Sequence, residues 1–214
     1  MYNPKLHEEN RLDILHQLMR DYPLATLVVM GEGELVANAI PFYLDSSRGE
    51  FGTLVAHISR ANPLWQLPAT DIAALVVFQG AQGYITPSWY ATKAETGKVV
   101  PTWNYVVVQA RGVPRFIQDR DWLLTHVSQL TETHEQGRKI PWQVSDAPEE
   151  FIERLLNGIV GLEIPLETIN GKWKTSQNRP EADKQSVIKG LQDNGGHPDD
   201  VIMANLVKQH TVIR

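Results

Sequence analysis

Val160-Gly-Leu-Glu-Ile-Pro-Leu166, followed by Asn170-Gly171 and by Lys172-Trp-Lys-Thr-Ser-Gln-Asn-Arg-Pro180, is the stretch whose reading decides the fold. Val160, Leu162, Ile164 and Leu166 share one parity, and Glu163 and Glu167 the other. That alternation predicts a half-buried strand over 159–168. Asn-Gly predicts a hairpin turn after it. The nine residues from Lys172 to Pro180 then hold two lysines, an arginine, an indole and several side-chain hydrogen-bonding groups. Cations and donors leaving a sheet end together can form an anion site. They can equally be a solvated surface loop.

Upstream of this stretch, strands dominate. Leu24 to Met30 reads as a buried strand, and Gly31-Glu32-Gly33 as the turn to a partner over 34–44. Phe51 to His57, Ile72 to Phe78 continuing toward Ile85, and Tyr105 to Val113 read as three more. A short helix opens near Ser59, and residues 91–98 read as a polar loop. Helices are predicted over 8–20, 119–133, 149–156, 180–192 and 199–208 from apolar spacing, with Pro23, Pro148, Pro180 and Pro198 as punctuation. Asp119 or Asp121 caps the helix over 119–133. Strands mostly preceding helices predict an α+β fold, a small β-barrel with helices at its rim.

Composition excludes several classes. The chain has 214 residues, 42% hydrophobic and 21% charged, and no cysteine. Disulfides, thiolate nucleophiles and cysteine metal sites are therefore absent. A net charge of -5 gives no global attraction to nucleic acid or to anionic membrane. No apolar run approaches the roughly 20 residues of a membrane span. Met1-Tyr-Asn-Pro-Lys5 has no apolar signal core, so a cytoplasmic protein is expected. His126 and His134 lie on or near one predicted helix without an evident third ligand, so no metal site is expected. Gly-x-Ser-x-Gly does not occur, which removes the nucleophile-elbow hydrolases.

Two further constellations carry chemistry. In Phe51-Gly-Thr-Leu-Val-Ala-His-Ile-Ser-Arg-Ala-Asn-Pro63 a strand ends and Ser59-Arg60 opens a helix. This is either a phosphate cradle of backbone N–H groups, hydroxyl and guanidinium, or a plain serine cap beside a surface arginine. His57 reads as a site-lining or hydrogen-bonding histidine. In Pro101-Thr-Trp-Asn-Tyr105 an amide stands between two aromatics at a strand entrance. It either walls and reads a planar heterocycle or closes a core.

Together these segments resemble the PaiB family of FMN-binding split-barrel proteins. The matching residues are Met1-Tyr2-x-Pro4, His57-Ile-Ser-Arg-Ala-Asn-Pro63, Tyr84-Ile-Thr-Pro-Ser-Trp-Tyr90, Val100-Pro-Thr-Trp-Asn-Tyr105 and Ser176-Gln-Asn-Arg-Pro180. They occur in family order and cover nearly the whole chain. The resemblance implies a single six-stranded split-barrel domain over 1–214, with 172–214 a basic loop and C-terminal helical extension. It implies a homodimer with FMN at the subunit interface. Ser59 and Arg60 fall where the superfamily binds the flavin phosphate. The backbone of Asn38, Ala39, Ile40 and Pro41 falls along the isoalloxazine edge, and Asn104 at a polar flavin contact. Thr53, His57 and Trp103 join the implied cofactor set, as do Lys174, Ser176 and Gln177, whose segment would approach from the second subunit.

PaiB-type proteins are named as negative transcriptional regulators, so the resemblance implies a flavin-binding regulator rather than an enzyme. A flavin-dependent oxidoreductase remains the alternative, since one fold hosts many activities, and a binder of another planar cofactor such as haem is the third. Residues 172–189 hold five cations (Lys172, Lys174, Arg179, Lys184, Lys189) and two acids (Glu181, Asp183). They are the possible DNA contact. The turn from Asp193 to Pro198 is longer than a helix-turn-helix uses, which favours a dimer-packing or flavin-site role there.

Overall fold

A computed structural model describes residues 1–31, 33–67, 73–194 and 196–209. The first half of the chain runs β1 (Glu8–Glu9), α1 (Leu12–Asp21), β2 (Leu24–Gly31), β3 (Glu34–Pro41), β4 (Tyr43–Asp45), β5 (Thr53–Ser59), β6 (Ala74–Ile85), α2 (Lys93–Thr96) and β7 (Thr102–Gly112). The second half runs β8 (Arg115–Ile117), α3 (Arg120–Glu135), α4 (Glu149–Leu156), β9 (Ile159–Pro165), β10 (Thr168–Lys174), α5 (Glu181–Asn194) and α6 (Asp200–Gln209). The predicted turn residue Glu32, the strand start at Ile72 and Gly195 lie outside the described residues.

The chain divides into two compact units. The first comprises residues 1–21, 79–109 and 170 onward. Its strands follow the order β1-β10-β7-β6, and β1 pairs antiparallel with β10 through Glu8↔Lys172 and Glu9↔Gly171. The predicted helix over 8–20 starts later, at Leu12, because Glu8 and Glu9 join the sheet. Glu9 stays buried and accepts a forked pair from Arg11, with Nε at 2.9 Å and Nη2 at 2.6 Å. α5 and α6 pack into a core of Ala81, Ile85, Tyr90, Val187, Leu191, Met203 and Val207. Trp89 lies over Gly190, where a Cβ would collide with the indole.

The second unit comprises residues 22–78 and 110–169. β2 pairs with β3 from Leu24↔Pro41 to Gly31↔Glu34, and with β6 through Leu27↔Val76. A second sheet follows the order β4-β5-β9-β8, with β5 and β9 in register from Thr53↔Pro165 to Ser59↔Ile159. α3 packs on β5 and β9. It is capped by Asp119, whose Oδ1 accepts from Trp122 N at 2.8 Å.

Two expectations change here. β9 is buried on both faces, not one: Gly161 and Glu163 are covered as well as Val160, Leu162 and Ile164. Trp122 of α3 occupies the space a side chain at 161 would need, and Glu163 is sealed by Arg48, with Nη1 at 2.5 Å and Nη2 at 3.0 Å. Nor is Asn170-Gly171 a turn. Both residues lie inside β10, and the chain only bends between β9 and β10, where the Leu166 and Glu167 N–H groups donate to Gly52 O at 3.0 Å and Arg111 O at 2.8 Å. Gly171 is required by crowding, since a Cβ there would strike Leu15 and the Glu9 carbonyl.

Candidate functional site

In the first unit, β7 alternates. Trp103 is 48% exposed and Asn104 is fully buried, because neighbouring strand residues point to opposite faces. The two therefore do not form one stacking-and-reading pair, as their adjacency in sequence suggested. The outward face carries Trp103, whose indole donates to Gln82 Oε1 at 3.1 Å, with Tyr84 tilted 6.0 Å away.

The inward face holds the more unusual group. Asn104 Nδ2 donates to Ser176 Oγ at 2.9 Å. Ser176 adopts φ +63°, a left-handed conformation rare outside glycine. Such strain concentrates at ligand sites. Asn104 Oδ1 and Thr175 Oγ1 are buried with no hydrogen-bond partner among the described residues. A buried acceptor left open costs about 1–3 kcal/mol, so this amide is built to receive a donor. Gln177 shapes the same turn. Its Oε1 accepts from Thr175 N at 2.8 Å and meets His7 Nδ1 at 3.1 Å, while Nε2 donates to the Trp173 carbonyl. Lys174 Nζ donates to Thr102 Oγ1 at 2.6 Å and to Trp103 O at 2.8 Å. Burial lowers its pKa. Trp103, Asn104, Lys174, Ser176 and Gln177 thus come together at one end of β7 and β10.

The remaining cations of 172–189 are largely turned inward. Lys172 is buried, donating to Tyr2 O at 3.1 Å and lying over the Tyr2 and Tyr105 rings. Arg179 sits 4.1 Å above the Tyr90 ring centroid. Lys184 is buried, and Lys189 is exposed.

In the second unit, Asn38 Oδ1 accepts from Asn62 Nδ2 at 3.0 Å, while Asn38 Nδ2 is buried without a partner among the described residues. Ile40 is buried, whereas Ala39 and Pro41 are exposed on β3. β3 ends its sheet order, so one backbone edge is outside the ladder. Thr53 is buried and donates to Arg48 O at 3.2 Å. The short helix is a 3-10 turn, Pro63–Gln66, and Asn62 rather than Ser59 caps it, accepting from Leu64 N at 3.0 Å. Ser59 Oγ instead accepts from Ala61 N at 3.2 Å. Arg60 donates to Asn157 O at 2.8 Å, Gln118 Oε1 at 2.8 Å and Ile159 O at 3.1 Å, and stacks on Trp65. Three of its N–H groups are committed to the chain's own neutral acceptors, and the others have no acceptor among the described residues.

His57 meets a partner that sequence reasoning missed. Its Nδ1 lies 3.0 Å from Nε2 of His126, which stacks on Trp122. Burial lowers the pKa of His57. Burial, then the neighbouring His57, pushes His126 down to about 4. Burial thus favours the neutral form of both rings, and in a neutral pair one nitrogen donates to the other. The signal was the i,i+4 spacing of Trp122 and His126 on a predicted helix. Thr102 and Thr175 were also missed, being ordinary threonines until the strand ends are placed.

Residues 1–168 match the family described as "Putative FMN-binding domain". The chain belongs to this FMN-binding domain family. It is 30% identical to the protease synthase and sporulation protein PAI 2 of Bacillus subtilis, over 97% of each chain. It is 35% identical to an uncharacterized protein of Emericella nidulans, over 98% of this chain and 97% of that one. Among solved structures, the FAD and heme binding protein from Mycobacterium smegmatis superposes with a TM-score of 0.59 at 18% identity, covering 86% of this chain and 80% of that one. That likeness is one of fold, and the fold is the α+β split barrel that the family resemblance implied. No helix among the described residues is long and apolar enough to cross a membrane.

Proposed function

We propose that this protein binds FMN and works in the cytoplasm as a flavin-binding negative transcriptional regulator of the PaiB kind, a homodimer with flavin at the subunit interface. The observation that carries the cofactor reading is the buried Asn104 amide. Its Nδ2 is fixed by Ser176 and its Oδ1 is open. A flavin ring edge offers alternating N–H donors and carbonyl acceptors, so Asn104 Oδ1 suits the donor. In the second unit, Asn38 Nδ2 is buried with no partner among the described residues and is a separate candidate for a carbonyl. The Asn38–Pro41 backbone edge offers further groups of both kinds.

Lys174 supplies a partly desolvated ammonium, which strengthens attraction for an anion. Ser59 and Arg60 remain the phosphate candidates, through a hydroxyl and the guanidinium N–H groups still open. Thr53 and Gln177 act by holding neighbouring backbone. Trp103 lies on the opposite face of β7 from Asn104, with its indole N–H bonded to Gln82, so any cofactor contact it makes is separate from the Asn104 amide. A bound flavin supplies reversible two-electron chemistry, and a ligand that binds only the dimer stabilises it by mass action.

Titration of FMN fluorescence against wild type and Asn104→Ala tests the reading. We expect saturable quenching that weakens at least about tenfold in the variant, from loss of a buried hydrogen bond. Equal affinity in the two proteins would remove Asn104 from the site. The regulator role is tested by a gel shift at several salt concentrations with and without FMN. A shift indifferent to FMN would separate DNA binding from the flavin. A haem reading would use His57, whose Nδ1 is already bonded to His126.

A further inference from the structure

A separate cavity of about 980 Å³ opens in the second unit between α3, the segment 136–148 and α4. Its volume falls near the upper end of the roughly 300–1,000 Å³ usual for small-molecule sites. None of the flavin candidates lines it. Its apolar lining includes Leu124, Val144, Ile152 and Trp142, and Trp142 is 45% exposed. The walls are tied in place. Trp142 N donates to Glu135 Oε2 at 3.1 Å. Gln143 and Asp146 close a reciprocal cap, with Gln143 N donating to Asp146 Oδ2 at 2.9 Å. Arg120 at the start of α3 bridges to Glu153 of α4.

The charges of the lining are one-sided. Arg120 is its sole cation, and that guanidinium is shared between Glu153 and Asp121. Glu135 is paired with Arg138 at 2.9 Å. Glu132 and Glu149 also line the cavity and have no ion pair among the described residues. An anion would meet uncompensated carboxylates there. A neutral apolar molecule would leave them unused. An ammonium group with a hydrocarbon body satisfies both parts, placing its charge by the carboxylates and its body against the apolar wall, with Trp142 available for a cation–π contact.

We propose that this cavity binds a small organic ammonium ion carrying an alkyl or aryl body. The site is independent of the flavin reading and stands or falls without it.

The experiment compares 2-phenylethylammonium with 3-phenylpropionate, which share a phenylethyl body and differ in charge. Binding to the full chain is followed by calorimetry and by the Trp142 indole N–H resonance, assigned with Trp142→Phe. The ammonium should saturate and shift that resonance, binding about two- to fivefold tighter than the carboxylate, the scale of an ion pair at a partly exposed site. The Glu132→Gln/Glu149→Gln double variant, at two exposed positions, should retain its fold by circular dichroism and lose the preference. Absence of saturable ammonium binding, equal affinity for the two probes, or an unchanged preference in the double variant would each overturn the proposal.

Discussion

Acidification from pH 7 to pH 5 should weaken the second unit through His126, and replacing that residue should remove most of the effect. His126 is 2% exposed, its Nε2 is bonded to His57, and its Nδ1 is buried without a partner among the described residues. A second N–H on this ring would have nothing to donate to. Its folded pKa is depressed from 6.5 to about 4, by burial first and by the charge of His57 second. The unfolded chain then takes up the proton more readily than the folded one. The stabilisation is complete above pH 6.5 and is lost as pH falls toward 4. At about 1.4 kcal/mol per pH unit, the loss by pH 5 is about 2 kcal/mol. His57 is shifted the same way and adds to it. The lowered Glu163 carboxyl, held by Arg48, acts only below its ordinary value of 4.5, outside this window. His7, in the first unit, is also lowered, so a wild-type curve alone would mix contributions. Urea midpoints of wild type and His126→Gln at pH 7, 6 and 5 isolate the residue. The variant should start less stable and show a pH slope flatter by about 2 kcal/mol across that interval. Parallel curves would refute the reasoning, because a solvated or already charged His126 would leave the slope untouched.

Gly161→Ala should cost about 1–3 kcal/mol, since the new methyl meets the Trp122 ring that is packed on His126 and bonded to Glu163; an unchanged urea midpoint would mean that Trp122 does not seat there. Asn104→Ala should lower stability by about 1–3 kcal/mol by orphaning Ser176 Oγ, read from denaturant unfolding without flavin, and no loss would argue against the bond. Arg60→Ala separates two roles. A phosphate contact predicts FMN binding weaker by about 1.5–3 kcal/mol, whereas intact FMN affinity with a lower melting temperature would leave Arg60 as the clasp on the Asn157 and Ile159 carbonyls.

Much of the fold could be read from local pattern. The valine-rich runs became β2, β6 and β7, and the amphipathic segments became α1, α3, α5 and α6 within a few residues of the expected limits. What failed depended on neighbours distant in sequence. Glu163 belonged to the polar parity of its strand, yet it is buried because Arg48 reaches it from 115 residues away. Gly171 looked like half of a turn, and its glycine is explained by Leu15 and Glu9 crossing above it. The site was legible in the same uneven way. Asn104, Ser176, Lys174 and Gln177 were named from residue type and family resemblance and come together in one place. The opposition of Trp103 to Asn104 across the strand required the true start of β7 at Thr102. The His57–His126 pair required knowing that α3 lies on β5.

The most direct test of the account is an absorbance spectrum of the purified protein after incubation with FMN and removal of free flavin. The account predicts a retained flavin spectrum near one flavin per subunit, lost in a variant carrying both Asn38→Ala and Asn104→Ala while wild-type circular dichroism persists. A wild-type spectrum showing protein absorbance alone would contradict it. The open amide of Asn104 would then not be a working flavin contact, and neither would that of Asn38.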